Sequence, residues 1–319
     1  MEIDGDLRRL LRRDASMDAR EAARVWGAIL DAGVDDIEVG AAVAVLALTG
    51  ETEAELAGLH RAVMERRAPW SPGARGVIAI PAYGLVPGEA AWIALVAMLL
   101  RRFDVPVAIH GVLDSPCGMS SARVLRELGV LPCASLGEAT ERLHRGGIAF
   151  VPAQLLLPAF ARLIGLRARL GMENSAHVVA QAIDPLGEGA IRMTFSLPGG
   201  ASERLGRLDA VVEGTAVALA WPVGSSTVHV GSRPRIERLH AGRRETLFEA
   251  DGQEVRHLAA PADDARGLGA WTHRVASGTL PVPTPALNLV AACLYAAGHA
   301  GTLSQAKAVA AIEAGRLAA

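Results

Sequence analysis

Apolar positions in the first part of the chain recur at helical spacing, and each run opens on a capping signal. Leu7, Leu10 and Leu11 sit opposite a block of arginines. Ala22, Val25, Trp26, Ile29 and Leu30 then follow Asp18 and Glu21, with Gly33 as the stop. Asp35-Asp36 open a very apolar helix to Leu48. Thr52-Glu-Ala-Glu55 is a capping box whose helix ends at Arg66-Arg67, ahead of Pro69. The stretch "APWSPGARG", Ala68 to Gly76, reads as a loop and the first domain boundary.

From Val77 the pattern changes. Short apolar strands at Val77–Ile80, Val105–Ile109 and Ile148–Val151 alternate with helices at Gly88–Phe103, near Ser120–Leu128 and at Ser135–Arg145. That alternation implies a parallel sheet and an α/β fold class. Pro152 to Ile183 reads as helix in two pieces, broken near Gly165 and Gly171. Strands are expected at Ile191–Phe195, Val217–Trp221, Thr227–Val230 and Arg235–Leu239. Two apolar helices, about Thr284–Ala297 and Thr302–Gly315, close the chain.

Composition narrows the function classes. With 319 residues, 51% of them hydrophobic, the chain can bury one large core or two modest ones. A net charge of −2 excludes a globally basic nucleic-acid coat. Lys307 is the only lysine, so nearly all the cationic side chains are arginines, the better bidentate phosphate ligands. A GC-rich genome supplies the same bias. Cys117, Cys133 and Cys293 are too few and too scattered for a disulfide framework or a four-ligand zinc site. The opening "MEIDGDLRRLLRRD" has no apolar signal region, and no apolar run is long enough for a membrane span, so the expectation is a cytoplasmic protein with no membrane partner.

Candidate chemistry is sparse. Arg8 with Arg12, and Arg9 with Arg13, form i,i+4 pairs, giving either a phosphate-contacting face or salt bridges to Asp4, Asp6 and Asp14. Arg162, Arg167 and Arg169 form a second basic group, with Glu173 as an alternative partner for Arg167. Asn174, Ser175 and His177 make a polar cluster, and His110 ends a strand as either an anion contact or a hydrogen-bonded core residue. "VGSSTVHVGS", Val223 to Ser232, lacks the lysine and helix of a P-loop and reads as a hairpin turn. Asp263-Asp264 reads as a solvated loop. No Gly-x-Ser-x-Gly elbow, metal set or cofactor motif is found, and no catalytic residue is assigned. With 4% aromatics, nucleic-acid contacts would run through the backbone rather than base stacking.

The stretch "IHGVLDSPCGMSSARVLRELG", Ile109 to Gly129, lies without a gap on the K-H-G-N-R-x-x-S-S-x-x-G-S-A-D signature that follows the second strand of anthranilate phosphoribosyltransferases. It keeps His110, Gly111, Ser121 and Ala122. Counting back, that family's diphosphate loop G-T-G-G-D falls on Pro81-Ala82-Tyr83-Gly84-Leu85, where only Gly84 matches, and its N-x-S-T falls on Ala91-Trp92-Ile93-Ala94. "RARLGMENSAHVVAQAIDP" keeps Arg167, Leu170, Gly171 and Pro185 of the later R-x-x-L-G motif. No acidic residue lies between Val217 and Ser232, where the Mg²⁺-holding pair would stand. The chain therefore resembles a non-biosynthetic, TrpD-like branch of the family, the YbiB-type nucleic-acid-binding proteins of the glycosyltransferase family 3 superfamily, through "IPAYG", "PVAIHGV", "FVPA" and "GEGAIRM".

The resemblance implies a helical dimerisation domain, residues 1–68 completed by helices in about 153–186, and an α/β domain at 75–152 and 187–319. It also implies a homodimer and sequence-independent binding of DNA or RNA without a cofactor. The alternative is a divergent glycosyl or phosphoribosyl transferase with an altered donor.

Overall fold

The computed structural model describes residues 2–13, 15–84, 88–115, 118–186, 189–195, 201–212, 214–220, 234–240, 243–250 and 264–317. The expected strand Thr227–Val230, the hairpin turn at Val223 to Ser232, Leu85, Cys117 and Asp263 lie outside these residues. The chain divides into two compact units. One is helical, Met1–Pro69 with Ala153–Ile183 and Gly199–Val212; the other holds the sheet, Trp70–Pro152 with Asp184–Pro198 and Glu213–Ala319. The stretch Gly199–Val212 thus joins the helical unit, whereas the domain boundaries expected from the sequence place it in the α/β domain.

The helical unit contains α1 (Glu2–Arg12), α2 (Ala19–Leu30), α3 (Asp36–Thr49) and α4 (Glu53–Glu65). Their starts follow the local chemistry. Asp18 and Thr52 cap α2 and α4 in reciprocal boxes with Glu21 and Glu55, and Asp35 caps α3, each cap contributing about 1 kcal/mol. Gly58 lets α4 lie directly on α2, because a Cβ there would overlap that of Ala22.

Beyond the first strands, whose ranges follow below, the unit resumes with α8 (Ala153–Leu156), α9 (Pro158–Leu170), α10 (Ser175–Ala180) and α11 (Ala201–Val211). The break falls at Leu157, ahead of Pro158 at the first helical position, and not at Gly165. Gly165 is exposed within a continuous α9 that is held by buried Phe160, Leu163 and Ile164.

Two buried carboxylates tie these helices together. Glu55, 1% exposed, accepts from Arg13 Nη1 at 2.8 Å, from the Met17 amide at 3.3 Å and from the Thr52 amide at 2.8 Å. Glu51, 5% exposed, accepts the Ser175 hydroxyl at 2.5 Å on one oxygen and Arg204 Nη1 at 2.6 Å on the other. Glu51, Ser175 and Arg204 come from the three separate stretches of the unit.

The second unit carries one seven-stranded sheet. In chain order its elements are β1 (Ile78–Ala82), α5 (Glu89–Arg101), β2 (Val107–Gly111), α6 (Ser121–Glu127), α7 (Leu136–His144), β3 (Ile148–Pro152) and β4 (Ile191–Phe195). They continue with β5 (Thr215–Ala220), β6 (Arg235–His240), β7 (Arg243–Phe248), α12 (Ala265–Ala276), α13 (Thr284–Ala296) and α14 (Leu303–Leu317). The strand order is β3-β2-β1-β4-β5-β6-β7, parallel from β3 through β5 and antiparallel at β6 and β7.

The apolar strands and the almost wholly buried α5 share one core with α6, α12, α13 and α14. Helices α11 and α12 and strand β7 were not expected from the sequence. Asp264, read as part of a solvated loop, is the N-cap of α12 and accepts the Gly267 amide at 2.6 Å.

Removing one member of a buried, paired charge costs about 3–5 kcal/mol. Glu51→Ala is expected to lower stability by about 3 kcal/mol, and Ser175→Ala by about 1 kcal/mol. Urea unfolding followed by circular dichroism measures both. A Glu51→Ala protein with the parent's urea midpoint would mean that the carboxylate does not hold the helical unit together.

Candidate functional site

In the helical unit the expected basic group divides. Arg162 and Arg169 are seven residues apart on the unbroken α9, which places them on one face nearly two turns from each other. Both are exposed, and among the described residues neither forms an ion pair. Arg167 is half-buried, with Nη2 at 3.1 Å from the Glu173 carboxylate, so its charge is already compensated.

The polar cluster after α9 is spent on structure. Asn174 caps α10: its Oδ1 accepts the Ala176 amide at 2.9 Å and its Nδ2 donates to the Leu163 carbonyl at 2.9 Å. The Asn174 amide donates to His177 Nδ1 at 3.2 Å, and the Asn174 side-chain oxygen lies at the same distance from that ring nitrogen. His177 is 2% exposed. Burial first, and the Arg167 charge second, lower its pKa to about 4. A neutral, buried imidazole is not a cationic phosphate contact.

The α1 arginines also divide. Arg13 is held by Glu55 and donates to the Gly50 carbonyl at 3.0 Å; Arg9 pairs with Glu21 at 3.1 Å and Asp6 at 3.6 Å. Only Arg8 and Arg12 stay exposed with no ion pair among the described residues. Of the two readings open from the sequence, Arg9 takes the salt bridge to Asp6, Arg13 pairs with Glu55 instead, and Arg8 and Arg12 remain for a phosphate-contacting face.

In the sheet unit, His110 ends β2 and is 1% exposed. Its Nδ1 is hydrogen-bonded to the Tyr83 hydroxyl at 3.0 Å, with the two rings edge to face at 5.6 Å between centroids. Burial lowers the His110 pKa to about 3 and raises that of Tyr83, so both stay neutral. Gly111 follows because the Ala82 carbonyl of β1 lies where its Cβ would be; that carbonyl accepts the Val112 amide at 3.0 Å.

The turn after β1 is met by a carboxyl group of the chain itself. Glu89, in the first turn of α5 and 6% exposed, accepts the Gly84 amide at 3.1 Å. Sequence reasoning missed this residue. Its signal was an acid directly after Gly88 at the start of a helix, where a negative charge meets the positive end of the helix dipole.

Residues 6–67 match the helical bundle domain of the glycosyl transferase family. The chain is 27% identical over 289 residues to the uncharacterized protein YbiB of Escherichia coli (strain K12), covering 89% of this chain and 90% of that protein. An anthranilate phosphoribosyltransferase of Halorubrum lacusprofundi is 27% identical over 308 residues, 90% of this chain and 80% of that enzyme. The fold matches the anthranilate phosphoribosyltransferase (TrpD) of Thermus thermophilus with a TM-score of 0.70 at 22% identity, over 98% of this chain and 97% of the other.

Over nearly its whole length the chain is thus similar to TrpD-like proteins of the glycosyltransferase family 3 superfamily. The Saccharomyces cerevisiae enzyme, solved in complex with PRPP and Mg, has the same fold at a TM-score of 0.72 and 13% identity, over 99% of this chain and 95% of that one. In this TrpD-like protein, no group of three or more His, Cys, Asp or Glu among the described residues is arranged to hold a metal ion. No helix among them is long and apolar enough to cross a membrane.

The buried histidines of the TrpD-like chain make its stability acid-sensitive. Unfolded histidine titrates near about 6.5, so below that pH the unfolded chain takes up protons that the folded chain refuses. Each histidine should cost about 1.4 kcal/mol per pH unit as pH falls from about 6.5 towards its folded pKa. That limit is about 4 for His177 and about 3 for His110. Urea midpoints at pH 7 and pH 5 test this. His177→Gln, which can keep the capping bond, should flatten the dependence; an unchanged slope would mean His177 is not the group being protonated.

Proposed function

We propose that this TrpD-like chain is a non-catalytic, sequence-independent nucleic-acid-binding protein that acts as a homodimer and has given up phosphoribosyl diphosphate chemistry. One observation carries the reading. The Gly84 amide, in the turn where the resemblance would seat a diphosphate, is already bonded to the buried carboxylate of Glu89. A diphosphate arriving there would meet a like charge in a poorly solvated site, which is strongly unfavourable. Pro81, without an N–H, and the neutral Tyr83–His110 pair offer it no cationic compensation.

The anion-binding capacity that remains supports phosphate-backbone contacts instead. Arg162 and Arg169 present two exposed guanidiniums on one face of α9, and Arg8 and Arg12 are exposed on α1. Because net charge is −2, binding would depend on such local groups rather than on the overall field.

Dimerisation is supported by α3. Ile37 is 82% exposed and Leu48 77%, three turns apart on one stripe, where solvent exposure is costly unless a partner covers them. Replacing Ile37 and Leu48 together with aspartate should give a folded monomer by sedimentation velocity, while the parent sediments as a dimer. A monomeric parent at micromolar concentration would refute the assignment.

The binding test is a mobility shift over a salt series with single- and double-stranded DNA of unrelated sequences. Two α9 arginines per subunit would give the dimer about four phosphate contacts, and affinity should fall about a hundredfold between about 50 and 200 mM salt. Arg162→Ala with Arg169→Ala should weaken binding to every sequence alike and flatten that slope. Unchanged affinity would move the interface to Arg8 and Arg12. No binding by the parent at low salt, with Mg²⁺-dependent heat on adding phosphoribosyl diphosphate, would favour a transferase with an intact donor site.

A further inference from the structure

The sheet unit has a second cationic feature, at the end of the sheet opposite Tyr83 and His110. A recess of about 240 Å³ is lined by Arg101, Arg142 and Arg145, with Gly129, Val130, Gly147 and Ile148 as its floor. Ile148 is the first residue of β3, so the recess lies at the amino ends of the parallel strands, whereas His110 closes β2 at its carboxyl end. Arg101 ends α5, Arg142 is in the last turn of α7, and Arg145 is that helix's C-cap.

Two of the three guanidiniums are uncommitted. Arg142 is fixed, donating to the Leu131 carbonyl at 2.5 Å and to Glu138 at 2.5 Å. Arg101 and Arg145 are exposed, and among the described residues neither forms an ion pair, although Asp104 and Glu141 are close in sequence. Among the described residues no carboxylate lines the recess. The C-terminal ends of α5 and α7 account for part of this charge, each acting as roughly half a negative charge. With Glu138 also counted, three guanidiniums still leave about one positive charge facing the recess.

We propose that this recess is a binding site for a small phosphate dianion, either inorganic phosphate or the head of a phosphomonoester, independent of the nucleic-acid surface on α9. The chemistry matches. Arginine binds phosphate oxygens through paired N–H groups, and Arg101 and Arg145 are the two that no ion pair engages among the described residues. The volume suits one phosphate with a small body attached and is below that of a typical cofactor pocket.

The test is isothermal calorimetry with inorganic phosphate and, separately, with ribose 5-phosphate, using neutral ribose as control. Phosphate is expected to bind with a dissociation constant of about 1 mM. A tighter constant for ribose 5-phosphate would identify a phosphomonoester as the occupant; equal constants would identify the free anion. Arg101→Gln and Arg145→Gln should each weaken binding about tenfold, the effect of removing one charge-assisted hydrogen bond. Arg162→Ala with Arg169→Ala should leave it unchanged.

In the parent protein, whose folding is not in question, the amide resonances of Gly129 and Gly147 should move on adding phosphate while that of Gly84 stays still. No binding of either phosphate compound at about 10 mM, or constants that Arg101→Gln and Arg145→Gln do not change, would overturn the proposal. So would parallel losses of DNA affinity in the Arg101 and Arg145 variants, which would make the recess part of a nucleic-acid surface.

Discussion

The helical unit is built from three stretches of chain that are distant in sequence, and one buried carboxylate joins them. Glu51 sits at the entry to α4, accepts a hydroxyl from the start of α10 and is paired with a guanidinium from α11. An anion so buried is unfavourable on its own and acceptable only when both partners are in place. The Ala153–Ile183 and Gly199–Val212 stretches are therefore coupled to the first four helices through charge as well as apolar packing. Glu55 repeats the arrangement a turn later, using Arg13 and the Met17 amide to fix α1 and the chain entering α2 against α4. The arginines that look most available in the sequence are partly consumed in this way.

The sheet unit uses an internal charge differently. The first turn of α5, with its unsatisfied amides and positive dipole end, attracts an anion. Glu89 places a buried carboxyl group in that turn, and it accepts the Gly84 amide ahead of the helix. A side-chain carboxylate tethered a few residues from the amide it serves has no translational entropy to lose on binding, so an external anion competes at a disadvantage. The same helix ends at Arg101, where the dipole favours a cation. One helix thus carries a buried carboxyl group in its first turn and an exposed guanidinium in its last.

What was legible in the sequence was local. Asp18 with Glu21, Asp35, and Thr52 with Glu55 cap their helices as expected, because a capping box is decided within four residues. The apolar runs that became β1 to β3 are buried on both faces and so carry little polar interruption. Strand β7 was missed because its first half, Arg243, Arg244 and Glu245, is an exposed sheet edge with no apolar pattern to read. Helix α12 was missed because its only start signal is Asp264, in a stretch that reads as loop. Gly165 was read as a breaker, yet a glycine in an exposed helix interior costs only about 1 kcal/mol, less than the burial on the opposite face supplies. The site was less legible because its deciding bonds leave the local window. Arg13 meets an acid that is 42 residues away, and Ser175 one that is 124 away.

The close approach of β1 and β2 bears on how such chains are recognised. Gly111 leaves room for the Ala82 carbonyl, and that requirement belongs to the sheet whatever the protein binds. The imidazole beside it is held by a tyrosine hydroxyl inside the core. A His-Gly pair after the second strand is therefore a record of descent and of strand spacing. The pair thus reports how closely the two strands run, and by itself it says nothing of what the preceding turn holds, where here the Glu89 carboxyl group accepts the Gly84 amide.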